Sequence, residues 1–262
     1  MLSDTPANLP DPGLWSSSVS MPPGEYPVVD GSTATLPLAI YMRSKITGET
    51  LDSSTAKTSF STTGHSYIAL AERRADLLVV YEAPDEVKQD LKRKNAEFIM
   101  EPVGLDALVF LTNEGNAVGS LTHEQITDIY TGKIKNWKEV GGEDIDIVPY
   151  QRISNSGSQA LMEKLVMKGT KMMEAPTLLQ PGAMGELIDN LASYDNTATA
   201  LGYSVYYYVR NMYEVPGIKI LGVNGVVPGS DTIASGQYPY INPFYAVIRA
   251  DEPEDSPARR LL

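Results

Sequence analysis

Two short strand-like stretches, Leu77-Leu-Val-Val-Tyr81 and Asp106-Ala-Leu-Val-Phe-Leu111, the second apolar from Ala107 onward, constrain the fold more than any other feature of this chain. Short runs without polar alternation read as strands covered on both faces, as in a sheet packed between helices. Helix starts stand around them. Thr122-His-Glu-Gln125 is a capping box opening a helix that carries Ile126, Ile129 and Tyr130 inward and stops at Gly132. Ser156-Gly-Ser-Gln159 reads as a second capping box, with Leu161, Leu165 and Val166 as its apolar stripe. Val28-Val29-Asp30 reads as a short strand, and Thr35 as the N-cap of a helix with Pro37 in its first turn. Further helices are expected over 65–74, 85–95 and 185–193, and strands over 145–150, 202–209 and 244–248. Alternating strands and helices mean an α/β fold with mostly parallel pairing. Residues 1–25, rich in Pro, Ser and Gly, read as a flexible leader, with folded structure beginning near Tyr26.

With 262 residues the chain can form one large domain or two lobes of ordinary size. Its formal charge of -12 argues against nucleic acid as a partner, because phosphate-backbone binding needs a basic face. A small anion stays admissible, since a buried site is governed by local dipoles and one or two charges. The chain has no cysteine, which removes disulfides and thiolate ligands, and only two histidines, His65 and His123, far apart in sequence. A metal site or other cofactor is therefore not expected. No apolar run approaches bilayer-spanning length.

Three strand–turn–helix junctions share one chemical character: Ser32 to Pro37, Thr62 to Gly64, and Asn155 to Ser158. Ligands of open α/β sheets sit beyond the carboxyl ends of strands, where helices begin. Unpaired N–H donors, hydroxyls and a partial positive charge there suit a tetrahedral oxyanion. Any one junction alone reads more simply as a capped helix. Arg152, four residues before Ser156, tips the balance, because guanidinium binds two oxygens at once; its plainer reading is a surface salt bridge. Glu82, directly after the LLVVY strand, can accept a hydrogen bond only from a protonated ligand, and would admit HPO4 or H2PO4 while repelling sulfate. A solvated loop glutamate is the plainer alternative.

Ser156 as a nucleophile lacks a general base, an orienting acid and a G-x-S-x-G elbow, so an enzyme is not expected. The tyrosines of 203–208 read as packing a half-exposed strand rather than as a sugar platform, and Trp137 as a packing anchor after the capped helix.

The same residues carry a family resemblance. Leu121-Thr-His-Glu-Gln-Ile-Thr-Asp-Ile-Tyr-Thr-Gly-Lys-Ile-Lys-Asn-Trp137, Val140-Gly-Gly142 and Arg152…Ser156-Gly-Ser158 resemble the phosphate-binding proteins of bacterial ABC importers. Leu201-Gly-Tyr-Ser204, Tyr238-Pro-Tyr240 and Phe244-Tyr245 agree. The resemblance implies a two-lobed type II periplasmic-binding-protein fold with the ligand in the inter-lobe cleft. It places lobe 1 at 26–107 plus 244–262 and lobe 2 at 108–243, with a hinge near 106–108 and 238–244. It further implies that Thr35 and Leu36 bind phosphate, with Leu where the family has Phe, that Thr63 supplies a second-turn hydroxyl, and that Arg152, Ser156, Gly157 and Ser158 complete the cage. Glu82 falls near the family's proton-accepting aspartate, one methylene longer.

The implied partners are inorganic phosphate and an ABC permease in the cytoplasmic membrane, with no nucleic acid. The implied location is extracytoplasmic, periplasmic or lipid-anchored, and the expected state is a monomer. Other readings are a sensor or surface interaction protein on the same fold, a binder of sulfate, molybdate or arsenate, and a phosphatase, which the lack of metal ligands and a catalytic base opposes.

Overall fold

The computed structural model describes residues 17–154, 156–175, 179–182, 184–192 and 199–262. In chain order its elements are β1 (Val29–Gly31), α1 (Leu36–Thr47), α2 (Leu51–Lys57), α3 (Thr63–Ala71), β2 (Leu77–Val80), α4 (Asp85–Arg93) and β3 (Phe98–Asn113). There follow β4 (Ser120–Leu121), α5 (His123–Tyr130), β5 (Val148–Pro149), α6 (Gly157–Leu161) and α7 (Met184–Ala192). Last come β6 (Ala200–Val205), β7 (Ile218–Val223), α8 (Ser230–Ala234), β8 (Ile241–Arg249) and α9 (Pro257–Leu261).

The chain divides into two compact units. One is continuous, Leu105–Asn242; the other is discontinuous, ending its first pass at Gly104 and resuming over Pro243–Leu262. The changeovers lie at 104/105 and 242/243, beside the 107/108 and 243/244 boundaries expected from the sequence.

In the discontinuous unit the strand order is β1-β2-β8-β3. β1 and β2 run parallel, with Gly31 opposite Val79, and β2 meets β8 antiparallel, with Val80 opposite Tyr245. β2 is buried along its whole length, as its unbroken apolar sequence requires. One core packs Tyr67 and Leu70 of α3 and Val87 and Leu91 of α4 against Leu78, Val80 and Val247. Another packs Leu38, Phe60, Phe244 and Leu261 against Leu77, Val79 and Ile248. The described part of the leader is not wholly loose. Met21 is buried and its N–H donates to Ile46 O at 3.1 Å, so packing begins before Tyr26.

In the continuous unit β3 lies between β6 and β7, antiparallel to both, while β5 pairs β6 and β4 pairs β7 in parallel. Ala107 to Leu111 are fully buried. The mostly parallel sheet expected from the sequence is thus corrected to a mixed one. Parallel pairing needs a crossover helix between strands, and β8, which reaches β2 from the far end of the chain, has none to set its direction.

The strand expected over 202–209 is also corrected. β6 stops at Val205, and a single wide helical turn follows at Tyr208–Met212. Asp106 ends it: its carboxylate accepts the Tyr207 N–H at 3.1 Å and draws the backbone out of the ladder. Every residue of β6 is buried, and Tyr203 and Tyr208 are inaccessible to solvent, so these tyrosines do not pack a half-exposed strand. Trp137 is fully buried and donates from Nε1 to Thr199 O at 3.0 Å.

Candidate anion-binding site

The discontinuous unit gathers hydroxyls at the carboxyl ends of β1 and β2. β1 ends at Gly31, where a Cβ would stand 1.9 Å from the Val79 carbonyl oxygen. Only glycine lets the two strands approach there. The chain then passes through Ser32 and a 3-10 turn, Thr33–Thr35, into α1. Ser32 Oγ accepts the Tyr81 N–H at 3.1 Å and lies 2.7 Å from Thr63 Oγ1, at the first residue of α3. Ser32, Thr35 and Thr63 are all buried.

Thr35 sits at the start of α1, as the sequence predicts, but its hydroxyl does not cap that helix. Oγ1 donates back to the carbonyls of Ser32, at 2.9 Å, and Val79. The Leu36 N–H donates to Thr33 O. These two donors, assigned to an anion by resemblance, are engaged with protein carbonyls. The Thr63 hydroxyl faces Ser32 instead of a carbonyl.

Glu82 is half-buried just past β2 and pairs with Lys88 Nζ at 2.6 Å; Asp85 lies 3.2 Å from the same amine. Burial pulls the Lys88 pKa down, but the bonds and charges of Glu82 and Asp85 outweigh it and raise it. Glu82 lines a cavity of about 500 Å³ floored by Tyr67, Phe98, Met100 and Tyr245. Burial first, then the Glu82 charge, pushes the Tyr67 phenol up, so it stays neutral.

The continuous unit supplies the other residue set. After β5, the Tyr150 N–H donates to Leu201 O at 2.8 Å and the Gln151 N–H to Leu179 O at 2.8 Å, which bring the chain to Arg152. Arg152 is buried, against the plainer reading of a surface arginine. Its Nε donates to Pro181 O at 3.1 Å and Nη2 to Gly182 O at 2.8 Å, so two backbone carbonyls aim the guanidinium. Ser156 and Ser158 are buried, with hydroxyls 2.9 Å apart, and Gly157 opens α6. Asn155 lies outside the described residues.

The second capping box is a correction. Ser156 makes no side-chain cap bond, because its hydroxyl is shared with Ser158. Gln159 reaches away from the helix start, and its Oε1 accepts the Arg152 N–H at 3.1 Å and the Tyr203 O–H. Sequence reading missed Gln159, Tyr203, Pro181 and Gly182 as partners of the arginine. The glutamine was visible only as a box residue, and the other three carry no local signal.

Among the described residues, no group of three or more His, Asp or Glu could hold a metal ion, and no helix is long and apolar enough to cross a membrane.

A model of the PBP superfamily domain matches residues 23–259, nearly the whole described chain. The chain belongs to the PBP superfamily. Among PBP relatives, the phosphate-binding protein PstS of Borreliella burgdorferi is 32% identical over 159 residues, which are 59% of this chain and 54% of that protein. The chain spans about half the length of the curated relatives it matches. The ABC-type phosphate transport receptor of Vibrio cholerae superposes with a TM-score of 0.60 at 21% identity, covering 87% of this chain and 89% of that one. A provisionally named phosphate ABC transporter substrate-binding protein of Clostridium perfringens, with bound phosphate, gives a TM-score of 0.67 at 22% identity, covering 89% of each chain. At such identities the likeness is one of fold, and it bears out the type II PBP architecture expected from the sequence.

Proposed function

We propose that this chain captures inorganic phosphate as the extracytoplasmic binding component of an ABC importer, and makes or breaks no bond. The observation that carries the reading is Arg152, buried four residues before the buried Ser156, with its guanidinium aimed by the Pro181 and Gly182 carbonyls. A buried cation is retained where an anion can pay back its desolvation. The names of the Borreliella and Bacillus relatives, phosphate-binding protein PstS, support phosphate as that anion.

In this reading Arg152 supplies charge and a planar fork of donors, and Ser156, Ser158 and the Gly157 N–H supply neutral donors. Thr63 adds a hydroxyl that meets the Ser32 hydroxyl, while Thr35 and Leu36 contribute once they release the carbonyls they face. Glu82 accepts the ligand's proton after parting from Lys88. Binding shifts the chain toward the form that a membrane permease recognises. The working unit is a monomer. The net charge of -12 gives no long-range attraction for the ligand, so selectivity rests on the local donors.

Thr35 and Leu36 favour a second reading, because their donors already face protein carbonyls. It is a PBP domain that senses or interacts without transport.

Calorimetric titration with phosphate and then sulfate, on protein unfolded and refolded to strip bound anion, tests the proposal. Phosphate binding that sulfate does not match, and that Arg152→Ala weakens by about a hundredfold or more, is the expected result. Folded protein that gives no heat with phosphate, sulfate, molybdate or arsenate sinks it and leaves the second reading.

A further inference from the structure

Gln159 stands at the centre of a closed polar triangle in the continuous unit. Its Oε1 accepts from the Arg152 backbone N–H at 3.1 Å and from the Tyr203 hydroxyl, and the same Arg152 N–H also reaches Tyr203 Oη at 3.1 Å. Gln159 is buried and Tyr203 fully so. On the other side of the amide, Nε2 donates to Glu163 Oε1 at 2.8 Å. A backbone N–H can only donate and a carboxylate can only accept, so the amide has one permitted orientation. Burial pushes the Tyr203 phenol well up, which keeps it neutral and able to donate.

Position in the fold gives the triangle its meaning. Tyr203 is rigid: it lies in β6, opposite Phe110 of β3, with its ring edge-on to Phe110 and to Tyr130 of α5. Gln159 belongs to α6, the helix opened by the serine pair. Arg152 lies on the link between β5 and α6. The triangle therefore joins sheet, helix and arginine at one oxygen. The guanidinium is aimed separately, by Pro181 and Gly182. A side chain anchored at its tip is placed well only if its own backbone is anchored too.

We propose that Gln159 and Tyr203 are positioning residues for Arg152: they clamp its backbone, set the guanidinium in register with Ser156 and Ser158, and touch no ligand themselves. The proposal rests on the phosphate reading above and adds to it the pair that fixes anion affinity. A donor group held before the anion arrives loses less freedom on binding, and that difference appears directly in the dissociation constant.

The test is phosphate calorimetry on wild type, Tyr203→Phe, Gln159→Met, Arg152→Ala and the double variant Arg152→Ala/Tyr203→Phe, with the thermal midpoint of each. Tyr203→Phe removes one oxygen and keeps the ring contacts. Gln159→Met keeps the approximate volume and loses the acceptor, so either variant can carry the test should the other not fold. Each folded single variant is expected to bind phosphate about tenfold more weakly, the effect of one lost buried hydrogen bond. The double variant is expected to bind no more weakly than Arg152→Ala alone, because a clamp has no effect once the clamped side chain is absent. A purely structural role would lower the midpoint and leave the affinity of the folded protein unchanged, which overturns the proposal. So does a Tyr203→Phe loss of the same size with and without Arg152. Wild type that binds no phosphate overturns the functional reading and this one with it. It is told apart from failure of the clamp alone, in which wild type binds, Arg152→Ala binds far more weakly, and the two clamp variants match wild type.

Discussion

The hydroxyls of Ser32 and Thr63, one leaving β1 and the other opening α3, stand 2.7 Å apart and buried. They are not equivalent. Ser32 Oγ already accepts the buried Tyr81 N–H, so it ties β2 to the β1–α1 turn. Replacing it removes the acceptor of a buried backbone donor, at a cost of about 1–3 kcal/mol. Ser32→Ala should therefore lower the thermal midpoint by several degrees. Thr63→Val, which keeps the shape and leaves that bond intact, should change stability little and weaken phosphate binding more. Paired melting and titration of the two variants checks this; equal midpoints for both would show that Ser32 has no special structural part.

Glu82 has two claimants, Lys88 in the structure and a protonated ligand in the proposed function. The ion pair is partly exposed, 28% for Glu82 and 41% for Lys88, so breaking it should cost no more than about 1 kcal/mol. Glu82→Gln should shrink the phosphate-over-sulfate preference by about tenfold, because an amide can donate to a fully deprotonated anion and a carboxylate cannot. Lys88→Met should keep the preference. Competition titrations at pH 7 measure both ratios, and a preference untouched by Glu82→Gln would assign Glu82 to Lys88 alone.

Two identical patterns, Thr122-x-x-Gln125 and Ser156-x-x-Gln159, have different outcomes. At the first, Thr122 Oγ1 accepts the Gln125 N–H at 3.1 Å and Gln125 Oε1 accepts the Thr122 N–H at 2.8 Å, a complete reciprocal box. At the second there is none. Thr122→Ala should cost about 1 kcal/mol, read as a lower denaturation midpoint in urea. Ser156→Ala should cost clearly less in the same assay and show its effect in phosphate affinity. A Ser156→Ala loss equal to that of Thr122→Ala would mean that the serine caps its helix after all.

That pair shows what the sequence can and cannot disclose. A capping box is local, and at Thr122 the box bonds hold both side chains with no competitor among the described residues. At Gln159 two partners from elsewhere, Arg152 and Tyr203, win the amide, and neither is visible within the motif. The buried strands were legible because burial on both faces leaves an unbroken apolar run. Leu77–Val80 needed no tertiary information. The end of β6 was not legible, because it is set by Asp106, roughly a hundred residues earlier in the chain. Strand direction failed for the same reason: β8 meets β2 from the other end of the polypeptide. At the candidate site, sequence and resemblance located Arg152 and the serines, whereas the inward turn of the Thr35 hydroxyl depends on the Val79 carbonyl of a neighbouring strand.

Acid should weaken the join between α1 and α2 through Glu49. Its carboxylate meets Arg43 Nε at 2.8 Å, Lys57 Nζ, and the hydroxyls of Thr47 and Ser53 at 3.2 Å each. The Lys57 hydrogen bond leads; burial opposes it, and the Arg43 charge and bond add to it, holding the carboxyl at about 2 against an ordinary 4.5. The folded chain thus binds fewer protons at this group than the unfolded chain between those values. Its stabilising contribution is complete above about pH 4.5 and is lost as pH falls toward 2. Glu49→Gln removes that contribution at every pH. The midpoint of wild type should exceed that of the variant at pH 6, and the gap should narrow at pH 3, where the unfolded chain has taken up the proton that the folded chain still refuses. Added salt at pH 6 should narrow it too, by screening the exposed Lys57 ammonium. A gap constant from pH 6 to pH 3 would show that the cluster holds Glu49 by geometry without depending on its charge.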